Sequence, residues 1–370
     1  MRSFSEFPLL PTLLDTLARQ ALSVPTRIQA RVLPALLGGR SVVGVAETGS
    51  GKTLAYVLPM LDMLKRLEEA GDPVQLAARP RGLVIVPSRE LGEQVTRVFK
   101  GFAHATRIRV RTILGDTHGM FEILVATPGR LGQLVDGGQL NLDDVRFLVL
   151  DEADQLVDRG FLPVIGRMVA RLPAERQLAL FSATVPKQVE ALIAKTFQDP
   201  VVIRSEGSHR VVPTLTTRNI AVNDGKRLPV LEEVLAEGVE GGTLIFANTR
   251  AQCDEVVRRL IEAGRPVGRY RGEMDRAERR ANLKAFRDGT TVILVTTDVG
   301  GRGLDIPHVG RVINYHLPQD LRNYLHRVGR TARAGRAGLV INLVTPRDRA
   351  LLKQLASSET GSRPSPPVAR

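Results

Sequence analysis

The nine residues "VAETGSGKT", Val45–Thr53, decide how this sequence folds. An apolar run, "SVVGV" (41–45), precedes them, and a helical-looking stretch, "KTLAYVLPML" (52–61), follows. A strand, a glycine-rich turn and a helix opening on Lys-Thr form the frame of a nucleotide phosphate loop. Gly49 and Gly51 permit tight turns and let backbone N–H groups face phosphate oxygens. The helix N-terminus adds partial positive charge. Lys52 reaches toward the outer phosphates, and the Thr53 hydroxyl suits a Mg²⁺ ligand. Glu47, Thr48 and Ser50 complete the loop. The pattern G-x-x-x-x-G-K-[ST] lacks its first glycine, which is Ala46 here. Alanine costs little there if the backbone takes a negative φ. On this loop alone, a chance Gly/Lys turn remains the alternative.

A second stretch, "RFLVLDEADQL" (146–156), is an apolar strand ending in Asp151-Glu152-Ala153-Asp154. Carboxylates at the C-terminal end of a strand stand where open α/β sheets bind ligands. Asp151 suits Mg²⁺, usually through water. Glu152 suits an attacking water as its base. An acidic helix N-terminus, favourable with the macrodipole, is the alternative for this stretch read alone. Paired with the Lys52 loop, it reads as the other half of one site.

Thirteen short apolar runs alternate with amphipathic segments. In the first half they are "SVVGVA", "GLVIV", "RVRTIL", "EILVA", "RFLVLD", "LALFSA" and "PVVIR". In the second they are "TTRNIAV", "GTLIFA", "VGRY", "TVILVTTD", "RVINY" and "LVINLVT". Runs this short, separated by helical stretches, predict parallel strands covered on both faces. The expected fold class is therefore α/β, with two doubly wound parallel-sheet domains at 1–205 and 214–355. Residues 206–213 are expected to link them, and the Ser/Pro-rich stretch 356–370 is expected to be a disordered tail.

The 370 residues carry a net charge of +13. It is spread over both halves: 25 basic against 21 acidic residues in 1–205, and 24 against 16 in 214–355. Such a surface fits a polyanion, or serves only solubility. With 4% aromatic residues and no Trp, a row of base-stacking platforms is not expected. Cys253 is the sole cysteine and the six histidines show no ligand spacing. A reducing, cytoplasmic setting and no structural zinc are the expectation. No apolar run approaches ~18 residues, so a membrane-spanning helix is not expected. The first twenty residues lack a signal peptide's basic cluster and apolar block, and Glu6 and Asp15 argue against a transit peptide.

With these motifs in hand, the chain resembles the DEAD-box RNA helicases of superfamily 2, from about Phe4 to about Leu355. The letters DEAD stand at 151–154, and "AETGSGKT", with its Ala46, is that family's form of the loop. "VPTRIQ" (24–29) resembles the motif whose glutamine, here Gln29, reads adenine; Phe4 matches by spacing an aromatic that packs on the base. "PSREL" (87–91) and "TPGR" (127–130) resemble RNA-backbone motifs, implying contacts from Pro87, Ser88, Arg89, Thr127, Pro128, Gly129 and Arg130. "SAT" (182–184) resembles the motif coupling ATP state to unwinding through Ser182 and Thr184. "LIFANTR" (244–250) and "TTDVGGRGLD" (296–305) match the family's fourth and fifth motifs, implying RNA contacts from Asn248, Thr249, Thr297 and Asp298.

"YLHRVGRTARAGR" (324–336) matches the sixth motif. The resemblance makes Arg330 and Arg333 arginine fingers and Asp305 a ribose ligand. It also places His326 near Asp154 and Ser182. It implies two RecA-like domains that close on ATP, Mg²⁺ and RNA, acting as a monomer with possible ribonucleoprotein partners. Close-set cations in "HRVGRTAR" repel unless an anion meets them. The leading expectation is an RNA-stimulated ATPase that unwinds short duplexes; the alternative is an ATP-gated RNA clamp.

The chain departs from the family pattern in places. The usual glycine doublet reads Gly115-Asp116, and only "DTHGMFEILVA" separates Gly115 from Thr127, too few residues for the additional helix the family usually has there. The usual glycine before "LSVPTRIQ" is Ala21, and a frequent glutamine is Arg276.

Overall fold

The computed structural model describes residues 3–47, 49–112, 119–204, 215–223, 226–272, 274–298, 309–332 and 337–360, without the side chains of 276, 322 and 357–360. Thr48, Asp305, Arg333, the Gly115-Asp116 pair, the expected linker 206–213 and residues 361–370 lie outside them. The chain forms two compact units, 1–208 and 209–370.

In the first unit the strands are β1 (Val42–Val45), β2 (Gly82–Ile85), β3 (Val110–Thr112), β4 (Ile123–Ala126), β5 (Phe147–Leu150), β6 (Gln177–Ser182) and β7 (Val201–Arg204). They pair in parallel in the order β3-β4-β2-β5-β6-β1-β7. Helices α1 (Pro11–Arg19), α2 (Arg27–Leu37), α3 (Lys52–Glu69), α4 (Arg89–Thr106), α5 (Pro128–Asp136), α6 (Ala153–Asp158), α7 (Leu162–Ala170) and α8 (Lys187–Thr196) cover it. Successive side chains of a strand point to opposite faces. Phe147 and Val149 accordingly join one core cluster, and Leu148 and Leu150 the other. Both faces are buried, as the continuous apolar runs predict.

This strand order positions the site. β1, β6 and β5 are neighbours, so the loops leaving their C-terminal ends converge: Val45–Thr53, 182–184 and 151–154. Across β5, the ends of β2 and β4 bring 87–91 beside 127–130. Gly44 in β1 is bare for a reason. A Cβ there would meet the Phe181 ring at 2.7 Å. The ring lies over that gap and against Tyr56, with centroids 5.3 Å apart. Residues 119–122 form no helix before β4, in line with the short spacing.

The second unit carries β8 (Leu215–Ala221), β9 (Gly242–Ala247), β10 (Val267–Tyr270), β11 (Ile293–Thr297), β12 (Val309–Asn314) and β13 (Gly338–Val344). They too are parallel, ordered β10-β11-β9-β12-β13-β8. Its described helices are α9 (Arg227–Ala236), α10 (Arg250–Glu262), α11 (Arg276–Arg287), α12 (Leu321–Val328) and α13 (Arg349–Thr360). Two core clusters again flank the sheet. The last helix corrects one expectation. Residues 356–360, assigned to the tail by composition, continue a helix whose Leu351 and Leu355 are buried.

Candidate functional site

The phosphate loop starts where β1 ends. Ala46 is buried, donates its N–H to the Ser182 carbonyl at 3.0 Å, and is not among the positive-φ residues. Gly49 and Gly51 take φ of 86° and 91°, so the left-handed turns fall on glycines. Lys52 is folded back on the loop. Its Nζ donates to the Ala46 carbonyl and, at 3.0 Å, to that of Glu47. The Ser50 hydroxyl also donates to Glu47 O. Burial pulls the Lys52 ammonium below its ordinary value, while the Asp151, Glu152, Asp154 and Glu47 carboxylates hold it up. Burial raises the Glu47 carboxyl, against the pull of Lys52.

Gln29 braces this loop from α2. Its Oε1 accepts the Thr26 N–H at 2.8 Å, and its Nε2 donates to Gly51 O at 3.0 Å. Its second amide N–H has no hydrogen-bond partner among the described residues and is open to a base. Phe4 lies in the first core cluster at 3% exposure, 6.5 Å from Phe7.

Asp151 and Glu152 are both buried at the end of β5. Burial lifts the Asp151 carboxyl to about 6; the Glu152 charge adds to the rise, and Lys52 and the Tyr56 hydroxyl oppose it. Asp151 Oδ2 accepts from Tyr56 Oη at 2.8 Å, and Oδ1 from the Glu152 N–H. Tyr56 lies on α3 one turn after Thr53, so its hydroxyl ties the helix that carries one candidate metal ligand to the other, Asp151. Glu152 sits at φ 48°, a strained left-handed geometry for a residue with a Cβ. Its Oε2 accepts from the Gln155 side-chain amide.

Asp154 faces β6. Its Oδ2 accepts from the Thr184 N–H at 3.1 Å and from the Thr184 hydroxyl at 2.8 Å, and its own N–H donates to Ser182 Oγ. Ser182 Oγ donates onward to Thr184 O. The 151–154 and 182–184 loops are therefore one hydrogen-bonded body.

Three helices open at the sheets' C-terminal ends on residues expected to contact RNA. Ser88 caps α4 by accepting the Leu91 N–H. Thr127 precedes α5, with Pro128 in its first turn. Thr249 caps α10. Helix N-termini present N–H groups to anions. Arg89 and Thr127 line the same groove with Val86 and Thr112. Arg130 is exposed and Gly129 has open space above its Cα.

In the second unit, Asn248 follows β9, Thr297 ends β11 and Asp298 follows it, but their side chains are not all turned outward. Both Asp298 oxygens accept from Arg327, at 2.6 and 2.7 Å, and Asn248 Oδ1 accepts from Arg327 at 2.8 Å. The anion that meets Arg327 is thus Asp298 of the same unit. His326 and Arg330 are buried at the end of α12, with Arg330 Nε donating to His326 O at 3.2 Å.

Sequence reasoning missed Tyr56, Gln155 and Arg327. The signal for Tyr56 is its place one helical turn after Thr53; for Gln155, one turn after Glu152; for Arg327, no signal in the sequence separates it from the other cations of "HRVGRTAR". The residues present fit a nucleotide with a divalent cation. Asp151 and Glu152 form a buried acidic pair whose repulsion a cation relieves, and the Lys52 ammonium is placed on carbonyls that a phosphate would replace.

Residues 26–192 match the DEAD/DEAH box helicase family, and 226–335 match the helicase conserved C-terminal domain. The chain is 36% identical to the ATP-dependent rRNA helicase RRP3 of Scheffersomyces stipitis, over 99% of this chain and 77% of that protein. It is 37% identical to the ATP-dependent RNA helicase DBP2 of Saccharomyces cerevisiae, over 93% of this chain and 65% of that protein. Its fold resembles Saccharomyces cerevisiae Dbp5 bound to RNA and ADP·BeF3, at 29% identity and a TM-score of 0.87, covering 98% of this chain and 95% of that one. Two parallel α/β sheets, a Lys52 loop facing Asp151-Glu152-Ala153-Asp154, and this likeness over nearly its whole length show that the chain belongs to the DEAD-box family of ATP-dependent RNA helicases.

Proposed function

We propose that this chain is an RNA-stimulated ATPase that closes its two domains on ATP and RNA to separate short duplexes or remodel ribonucleoprotein. The observation that supports this best is the single hydrogen-bonded body formed by 151–154 and 182–184, set beside the Lys52 loop. Glu152 takes the proton of a water attacking the γ-phosphoryl group, giving ADP and phosphate. Gln155 holds that carboxylate in place. Lys52 exchanges the Ala46 and Glu47 carbonyls for phosphate oxygens. Thr53 and Asp151 would hold Mg²⁺, which when bound neutralises charge on the phosphates. Arg330 and Arg333, from the other unit, stabilise charge developing on the transferred group. Gln29 reads adenine, and Asp305 the ribose.

RNA is held through its sugar-phosphate backbone, by Pro87–Arg89 and Thr127–Arg130 on one unit and by Asn248, Thr249, Thr297 and Asp298 on the other. With Asn248 and Asp298 side chains spent on Arg327, we assign their RNA contacts to backbone groups. The protein acts as a monomer, and a cytoplasmic setting suits its one buried thiol, Cys253.

ATP turnover measured with and without single-stranded RNA tests the reading; no RNA stimulation would overturn it. A clamp with little unwinding is the second reading, favoured by the short stretch between Gly115 and Thr127. Strand displacement of a short duplex separates the two.

A further inference from the structure

Arg327 is 1% exposed, and its five N–H donors are all used. Nε and Nη2 bind the Asp298 carboxylate, Nη2 also binds Asn248 Oδ1, and Nη1 binds Asn314 Oδ1 and the His316 carbonyl. The guanidinium lies over the Phe246 ring, 5.1 Å from its centroid. With every donor engaged, Arg327 has no N–H left for nucleotide or RNA. It can act only through what it holds.

What it holds continues across the sheet. Asn314 Nδ2 donates to Asn342 Oδ1 at 2.8 Å, and Asn342 Nδ2 donates to Asn219 Oδ1 at 2.8 Å. These residues are directly opposite one another on β12, β13 and β8. The chain Arg327→Asn314→Asn342→Asn219 runs in one donor direction, so each bond polarises the next. Asn342 Nδ2 also donates to the Tyr324 hydroxyl at 3.1 Å. Tyr324 and Arg327 are one turn apart on α12, so that helix is pinned to the sheet at two points. Asn314 and Asn342 are fully buried, and a buried amide is costly unless each of its groups is paired.

We propose that the asparagine row Asn219–Asn342–Asn314, with Tyr324, is a positioning device for Arg327. Through Arg327 it fixes the helix leading to Arg330 together with the loop ends at Asn248 and Asp298. The two groups of residues then move as one body, so that a ligand engaging one sets the other. The row starts on β8, the first strand after 205–214, and reaches the helix of the sixth motif without touching ATP or RNA. It rests on the ATPase reading only for its consequence in turnover, and its structural content is tested apart from it.

The test uses the full chain with Asn342→Leu, of similar volume, and the milder Tyr324→Phe. Amide hydrogen exchange is followed at 247–249, 296–298 and 324–330, with α9 and α10 as internal reference. Both variants should speed exchange in all three segments together, while α9 and α10 are unchanged. In parallel, the RNA concentration for half-maximal ATPase should rise about fivefold for each hydrogen bond lost, while RNA-free turnover changes less than about twofold. Uniform loss of protection across the second unit, or faster exchange confined to β13, would overturn the device. So would an RNA response equal to the parent's in both variants. If the parent itself shows no RNA response, the ATPase reading fails, and the exchange pattern alone decides on the row.

Discussion

The Tyr56 hydroxyl donates to Asp151 Oδ2 at 2.8 Å, between two fully buried groups. The ring is fixed by Phe181 on one side and Phe99 on the other, so the hydroxyl has little freedom to leave. It holds one oxygen of a carboxylate whose ionised form burial opposes. Tyr56→Phe should keep the fold, because the ring contacts remain. It should loosen the Asp151 carboxylate by one hydrogen bond, a roughly three- to tenfold effect on the Mg²⁺ concentration for half-maximal turnover. Affinity for ADP measured with and without Mg²⁺ checks this: the Mg²⁺-dependent part should shrink. Equal affinities to the parent under both conditions would remove Tyr56 from the site.

Glu152 is held differently, by the side chain of Gln155 one turn along α6. Glu152→Gln should keep ATP binding and lose turnover, because an amide is no base. Gln155→Ala should lower kcat by about three- to tenfold with KM for ATP nearly unchanged, since it frees the base without removing it. A Gln155→Ala enzyme whose KM rises while kcat holds would show that Gln155 serves binding instead.

Gly51 and Gln29 share one constraint. A Cβ on Gly51 would lie 2.5 Å from Gln29 Nε2, at a φ of 91° that side chains avoid. Gly51→Ala should therefore displace Gln29 and open the loop, weakening ADP binding by more than about tenfold. Gln29→Ala removes the brace and the remaining N–H, so the preference for ADP over GDP should relax. Titration with fluorescent analogues of both nucleotides separates the two effects. A preference identical to the parent's in Gln29→Ala would refute adenine reading.

The sequence disclosed the thirteen strands of the described residues because most are short apolar runs bounded by turn residues and buried on both faces; the edge strands β3, β7 and β8, largely exposed, were legible mainly from their β-branched residues. It disclosed the Lys52 loop and the 151–154 stretch because those residues follow strand ends directly. It could not disclose which strand lies beside which. Asn314, Asn342 and Asn219 are scattered over nearly 125 positions, and only the parallel registers β12–β13 and β13–β8 align them. For the same reason the cations of "HRVGRTAR" pointed toward a ligand anion, whereas Arg327 is met by Asp298, brought close by the strand order.

His316 gives a stability signal. Burial, with the Arg227 and Arg327 cations adding to it and Asp348 opposing, pushes its pKa down from the ordinary 6.5 to about 4. Below 6.5 the unfolded chain takes a proton that the folded chain refuses. Stability should therefore fall as pH drops from about 6.5 to about 4. Asp151, raised from 3.8 to about 6, contributes the opposite slope over an overlapping range, because there the folded form holds the proton. The comparison is therefore parent against His316→Gln, which share Asp151. Going from pH 7 to pH 5, the urea midpoint of the variant should fall less, or rise more, than that of the parent. An equal loss in both proteins would mean that His316 titrates normally.

Ala21 ends α1 in a left-handed conformation, φ 57°. The Leu22 N–H reaches back to Leu17 O at 2.9 Å, and the Ala21 N–H donates to Ala18 O. That is the helix-ending turn in which glycine is favoured at the left-handed position, because a Cβ there crowds the following carbonyl. The family's usual glycine before this motif thus has a backbone reason, and this chain carries the strain. Ala21→Gly should relieve about 1 kcal/mol, less a few tenths for the freer unfolded chain. For a unit of about 200 residues that is a rise in Tm of roughly 2 °C. Ala21 is exposed and its methyl carries no polar group, so ATP turnover should not change. A lower Tm for Ala21→Gly would show that the entropy of the unfolded chain outweighs the strain at this turn.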